Sequence, residues 1–280
     1  MLASARRAPP PLGKRAVLKT SSSSSTLWSV GDKSAIEWTE ATWNPTTGCD
    51  RISPGCDNCY ALTLAKRLKA MGNAKYQVDG DPRTSGPGFG ITEHADALLL
   101  PTRWSTPRTV FVDSMSDLMH ARVSTAFVKQ VFAVMAETPR HTYQLLTKRP
   151  RRLARLATEL PWPENVWVGV SVETMAQTWR VDAVRAVPAA VRFISAEPLL
   201  GLLDGLDLTG IDWLIAGGES GPNHRPVEGE WVRSLRDQCD SAGVAFFFKQ
   251  WGGRTPKANG RELDGVLYDA MPVPLLSLAR

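Results

Sequence analysis

The chain lacks any long hydrophobic run. No stretch approaches the ~18 apolar residues that a membrane span needs, which excludes an integral membrane protein. Cysteine is scarce, with four in 280 residues, far too few for a disulfide scaffold. Acidic residues are missing altogether from residues 1–31, which carry Arg6, Arg7, Lys14, Arg15 and Lys19. The net charge of +5 therefore belongs to that stretch, and the other residues balance 28 basic against 28 acidic side chains. The basic character says nothing about the rest of the protein as a whole, so any nucleic-acid argument must rest on local patches. Residues 1–31 are also poor in large apolar side chains and hold a proline run and a serine run. Such composition cannot offset the entropy of ordering, and it reads as a disordered N-terminal extension. It has no continuous apolar segment of a secretory signal, so a cytoplasmic location is expected.

From Ala35 onward the pattern changes, and 32–280 reads as one domain. Short apolar, β-branched runs recur at Val110–Val112, Tyr143–Leu146, Val166–Val172, Val191–Ile194, Trp213–Ala216 and Val244–Phe248. Helix-like segments lie at about 57–70, 123–137, 149–157, 175–187 and 228–242. Short strands alternating with helices imply an α/β protein with a parallel sheet buried on both faces. Six or seven such units predict a partial or complete barrel of the TIM type, with a doubly wound open sheet as the alternative. Residues 72–107, rich in Gly, Pro and polar side chains, interrupt the rhythm as a long insertion.

Each apolar run ends in residues that a plain core would not choose. They are Asp113–Asp117, Thr147-Lys148-Arg149, Ser171-Val172-Glu173, Ser195-Ala196-Glu197, Gly217-Gly218-Glu219-Ser220-Gly221 and Lys249-Gln250-Trp251. In parallel α/β folds the C-terminal strand ends form one rim where sites are built. Lys148, Glu173, Glu197 and Lys249 are the candidate catalytic residues. The paired glycines Gly217 and Gly218 permit close approach of a ligand to the backbone.

The strongest motif is Cys49, Cys56 and Cys59, spaced C-x6-C-x2-C and placed just before a helix. Three cysteines so close together, in a chain with no disulfide pattern, point to a metal. Structural zinc prefers four closed ligands. Cys239 sits within a helical stretch, as a buried structural thiol would, and the histidines at 94, 120, 141 and 224 show no ligand spacing. Three thiolates on a loop suit a [4Fe–4S] cluster with one iron left open to an exogenous ligand.

Three cysteines before the first helix of a βα barrel resemble the radical-SAM superfamily. The spacing departs from that superfamily's usual x3, Asn58 stands where it often has an aromatic, and the Gly-Gly-Glu follows the sixth strand rather than the second. A second resemblance runs from Ala35 to about Gly265. It rests on Ile36–Thr39, Trp43-Asn44-Pro45, the cysteines, Ser114–Asp117, Leu146–Pro150, Gly169–Glu173, Glu197–Leu200, Gly217–Gly221 and Lys249–Gly252. It is to a phage-associated family of unknown function. Together these imply S-adenosylmethionine as cofactor, cleaved by an electron from the cluster to a 5′-deoxyadenosyl radical. Glu219 would accept from its amine, Lys148 or Lys249 would meet its carboxylate, and Ser171 or Glu173 its ribose. An electron donor such as flavodoxin or ferredoxin is implied.

Lys148–Arg155 has five basic residues and no acid. Arg149, Arg151, Arg152 and Arg155 are therefore candidate nucleic-acid contacts, and Trp38, Trp43, Trp104 and Trp251 could stack on a base. The expected function is modification or repair of a nucleic acid or nucleotide. The alternative is a non-catalytic zinc or iron–sulfur protein that binds nucleic acid or a phosphorylated ligand.

Overall fold

The computed structural model describes Ser34 and residues 36–272; the extension over 1–31 lies outside the described residues. Seven strands form one parallel sheet: β1 (Ala41–Trp43), β2 (Thr109–Val112), β3 (Thr142–Thr147), β4 (Val166–Ser171), β5 (Val191–Ala196), β6 (Trp213–Gly217) and β7 (Ala245–Gln250). Each strand pairs with its neighbours in chain order, and β1 does not pair with β7 among the described residues. The sheet is an open half-barrel, with helices packed on one face and an aromatic cluster on the other. A doubly wound sheet reverses its strand order, and none does so here, which removes that alternative.

Helix α1 (Tyr60–Ala70) packs on Tyr76, Phe89 and Met115, and four helices cover the outer face: α2 (Thr125–Glu137), α3 (Pro150–Leu156), α4 (Trp179–Arg185) and α5 (Gly229–Ala242). Their ends follow from local chemistry. The Ser124 hydroxyl accepts from the Phe127 N–H and caps α2, and Pro150 opens α3 where no N–H is needed. Gly243 closes α5 in the left-handed conformation at φ 68°. On α5, Val232, Leu235 and Cys239 turn inward at helical spacing, so Cys239 is a core thiol. The β5–β6 connection carries no helix.

Strand alternation sorts the side chains into two cores. Outward positions such as Val110, Val112, Leu145, Val168, Ile194, Leu214 and Phe248 pack under the helices. Inward positions Phe111, Trp167, Phe193, Trp213 and Phe247, with Trp38 from before β1, form an aromatic floor. Trp213 is its hub, with ring centroids 5.5 Å from Phe193 and 6.1 Å from Trp38 and Phe247. Gly169 faces this floor because a Cβ there would run into the Phe193 ring.

Between α1 and β2 the chain is not featureless. It makes a turn of 3-10 helix at Ala74–Tyr76, a strand Thr92–Glu93 that pairs antiparallel with Thr46–Thr47, and a one-turn helix Ala95–Leu98. Among the described residues no helix is long and apolar enough to cross a membrane.

Candidate active site

The period of two that builds the floor also builds the site. Starting from each floor residue and climbing by twos, the chain reaches Asp113 on β2 and Ser171 and Glu173 on β4. In the same way it reaches Ser195 and Glu197 on β5, Gly217 and Glu219 on β6, and Lys249 on β7. Above the floor, at the C-terminal ends of the strands, lies a cavity of about 640 Å³. Cys49, Cys56, Cys59, Lys148, Ser171, Glu197, Gly218, Glu219 and Lys249 all line it.

The cysteine loop runs from the Thr46–Thr47 strand to the start of α1 and covers one side of this cavity. Cys49 and Cys59 pack against a small cluster of Ala61, Ala65, Tyr76, Phe89 and Met115. Burial, then the Asp117 carboxylate and the two neighbouring thiols, push the Cys49 thiol up to about 12, against the pull of the Arg149 guanidinium. Burial likewise raises Cys59. Metal-free, both thiols are protonated at neutral pH, and a metal would displace their protons. Among the described residues no three His, Cys, Asp or Glu side chains are placed to hold a single ion. Cys49, Cys56 and Cys59 nonetheless border one and the same cavity.

Barrel side chains hold this loop. Glu173 is fully buried and does not line the cavity. Its Oε1 accepts from the Ser53 hydroxyl at 2.8 Å and faces Lys148 Nζ at 3.2 Å, and its Oε2 accepts from Arg180 Nη1 at 2.9 Å. Burial alone would raise this carboxyl, but Lys148, Arg180 and the Ser53 hydroxyl together hold it below its ordinary value. Asp50, next to Cys49, accepts from Thr84 and Ser85 of the 72–107 segment, lies 3.0 Å from His120 Nε2, and pairs with Arg122 at 2.7 Å. Arg149 donates to the Asp50 carbonyl at 2.9 Å and points a second contact at Cys49 Sγ, 3.7 Å away. It stands beside the cysteines rather than on an outer basic face.

Glu219 is 6% exposed and is engaged by Asn58 and Arg225. Arg225 also reaches the loop directly, donating to the Pro54 carbonyl at 2.8 Å. Burial would raise the Glu219 carboxyl, but these donors hold it below its ordinary value.

Lys249, Glu197 and Ser195 form a second polar group on the lining. Lys249 Nζ lies 2.9 Å from Glu197 Oε1, and the Ser195 hydroxyl donates to Glu197 Oε2 at 3.2 Å. Gly217 makes room for that pair, since a Cβ on it would sit 2.9 Å from Glu197 Oε1. A Cβ on Gly218 would collide with the Trp251 carbonyl. Both glycines are thus demanded by the chain's own packing, and Gly217 does not line the cavity.

The structure does not bring the arginines of α3 to the cavity. Arg152 donates to the carbonyls of His120 and Val123, and Arg151 stacks over the Trp179 ring at 4.4 Å. Arg155 lies one turn beyond Arg151, outside the lining. Of the four tryptophans singled out, only Trp38 lines the cavity. Trp43 and Trp104 are core residues, and Trp251 packs on Phe248. Sequence reasoning missed Ser53, Arg180 and Arg225. Asp117 was legible only as part of the Asp113–Asp117 strand end, and Asn58 only as a polar residue where the resemblance expects an aromatic.

No curated protein matches the chain. Solved structures of similar fold are those of spore photoproduct lyase. In complex with dinucleoside spore photoproduct it is 14% identical over 71% of this chain and 61% of its own, with a TM-score of 0.42. A variant with bound AdoMet and the dinucleoside spore photoproduct is likewise 14% identical, over 71% and 61%, with a TM-score of 0.40. The chain spans about three fifths of those structures, and the likeness concerns the fold alone. A family model matches residues 33–272, most of the chain, and the protein belongs to that family, described as protein of unknown function (DUF5131).

Proposed function

We propose that the protein is a radical-SAM-type enzyme that reductively cleaves S-adenosylmethionine to modify or repair a nucleic acid or nucleotide. The observation that carries this reading is the cavity above the aromatic floor, which Cys49, Cys56 and Cys59 border on one side and Ser171, Glu197 and Lys249 on another. Held there, a [4Fe–4S] cluster would supply the electron that splits the cofactor's sulfonium, drawn from a carrier such as flavodoxin or ferredoxin. The chain's own residues would do the rest. Lys249 and Glu197 form a salt-bridged pair that can open to meet the cofactor's carboxylate and amine. Ser171 offers a hydroxyl to its ribose, and Lys148 adds positive charge near the cysteines. Trp38 and Phe111 close the cavity from below and keep water from that end. Arg51 and Lys257, exposed at the edge of the lining, suit the phosphates of a nucleotide substrate.

The test is anaerobic reconstitution followed by reduction with S-adenosylmethionine alone. About four iron and four sulfide per chain, and release of 5′-deoxyadenosine and methionine, are expected for this centre. Changing Cys49, Cys56 or Cys59 to Ala should abolish the visible absorbance, and Cys239→Ala should keep it. Stoichiometric zinc without iron uptake would overturn the reading in favour of a metal-tied binding protein.

A further inference from the structure

We infer that Glu219 and Arg225 form a positioning pair that holds the cysteine loop, and that Glu219 is not the acceptor for the cofactor's amine. This rests on the cluster reading above. The Glu219 Oε2 accepts from Asn58 Nδ2 at 2.9 Å, from the Arg225 backbone N–H at 2.9 Å and from Arg225 Nε at 3.0 Å. Its Oε1 accepts from Arg225 Nη2 at 2.6 Å. Three of these donors crowd Oε2 and one meets Oε1, so the carboxylate's charge is already matched by a bidentate guanidinium. An ammonium arriving at the remaining Oε1 position would meet a carboxylate already neutralised by Arg225, a weaker partner than a free one.

The other ends of the same donors explain what the pair is for. Arg225 Nη2 also donates to the Pro54 carbonyl at 2.8 Å, and Nη1 reaches Asp57 at 3.4 Å. The Asn58 amide donates to the Asn223 carbonyl at 2.9 Å as well. The loop is therefore tied at residues 54, 57 and 58, on both sides of Cys56. Lysine cannot serve here, because one planar fork must reach a carboxylate, a second carboxylate and a carbonyl at once. Ser53 and Gly55 rest on Glu173 in the same stretch. The long spacer between Cys49 and Cys56 is thus the segment that the barrel grips, and Asn58 is polar because Glu219 receives it.

The experiment compares Arg225→Lys, Arg225→Gln, Glu219→Gln, the double Gln variant and Asn58→Leu. Three readouts are taken: amide hydrogen exchange over residues 50–60 in metal-free protein, iron and sulfide content with the spectrum of the reduced cluster, and affinity for S-adenosylmethionine in the loaded fraction. Each single variant should speed loop exchange by about tenfold or more, the effect of losing one charged hydrogen bond, and lower iron content. Arg225→Lys should do so nearly as much as Arg225→Gln. The double variant should be no worse than the worse single, because both remove one interaction. Affinity per loaded cluster should stay unchanged. If Glu219→Gln alone weakens cofactor binding about tenfold or more, with loop exchange unchanged, the inference is overturned and Glu219 is the amine ligand. Exchange of β3–β5 amides separates global unfolding from loop release, and Asn58→Leu tests the tie without leaving a buried charge. If the protein takes up no iron, the exchange data still decide the pair and only the cluster reading falls.

Discussion

Gly55 of the cysteine loop sits against Glu173 at the end of β4 so closely that a Cβ on it would lie 2.5 Å from the Glu173 Cγ. Two residues 118 positions apart are fitted to each other, and the carboxylate that makes the fit also accepts from Ser53. The position of Cys56 is set by the barrel as well as by its own loop.

Gly55→Ala should therefore act at a distance from its small size. Overpacking of this kind costs about 1–3 kcal/mol, because Glu173 is held by Lys148 and Arg180 and cannot step aside. A lowered melting temperature together with reduced iron content checks this. Full iron loading at unchanged stability would show that the loop adjusts freely.

Glu173→Gln removes the charge between Lys148 and Arg180 and leaves them facing each other. Breaking a buried pair in this way costs about 3–5 kcal/mol. The pH dependence follows from the sign of the shift. The folded carboxyl titrates below its ordinary value, so the unfolded chain binds the proton first as pH falls. The stabilisation is present above about pH 4.3, the unfolded value, and is lost as pH drops through the lower folded value. Denaturant midpoints between pH 7 and pH 3 should fall for the native protein more steeply than for Glu173→Gln.

Lys249→Met keeps the stem and removes the charge that faces Glu197. Loss of a charged hydrogen-bond partner predicts weaker S-adenosylmethionine binding by about 1–3 kcal/mol, with iron content unaffected. Titration of the reconstituted protein reads the first quantity and metal analysis the second. Unchanged affinity would place the cofactor elsewhere in the cavity.

The floor should be separable from the chemistry above it. Trp213→Ala empties the hub of the inner core and should cost about 3–5 kcal/mol. Gly169→Ala forces a methyl into the Phe193 ring and should cost about 1–3 kcal/mol. Both losses appear in thermal melts, and neither variant should lose its cysteine ligands. Loss of iron from an otherwise folded Gly169→Ala protein would mean that the floor sets the loop.

Much of the strand and helix order was legible because burial and alternation are local signals. The runs at 110–112, 143–146 and 213–216 lie within β2, β3 and β6, and α2 and α5 begin and end within two residues of the expected segments. The three-residue β1 escaped notice: Ala41-Thr42-Trp43 is too short to show a period, and it is a strand only because Val110–Val112 pairs with it. The three cysteines were legible as a motif because they lie within eleven positions of one another. Glu219 was legible only as a carboxylate on a glycine turn.

By itself, the sequence determined a parallel α/β fold, a rim of polar strand ends and a three-cysteine loop, because each depends on neighbours a few positions apart. Only the tertiary structure decided which partners each rim carboxylate meets. Glu173, Glu197 and Glu219 follow the same two-residue climb from the floor, yet they meet Arg180, Lys249 and Arg225 respectively. Of those cations, Arg180 and Arg225 sit in segments with no motif at all. A carboxylate's role is set by the cation and donors that reach it, and those arrive from distant parts of the chain that only folding brings together.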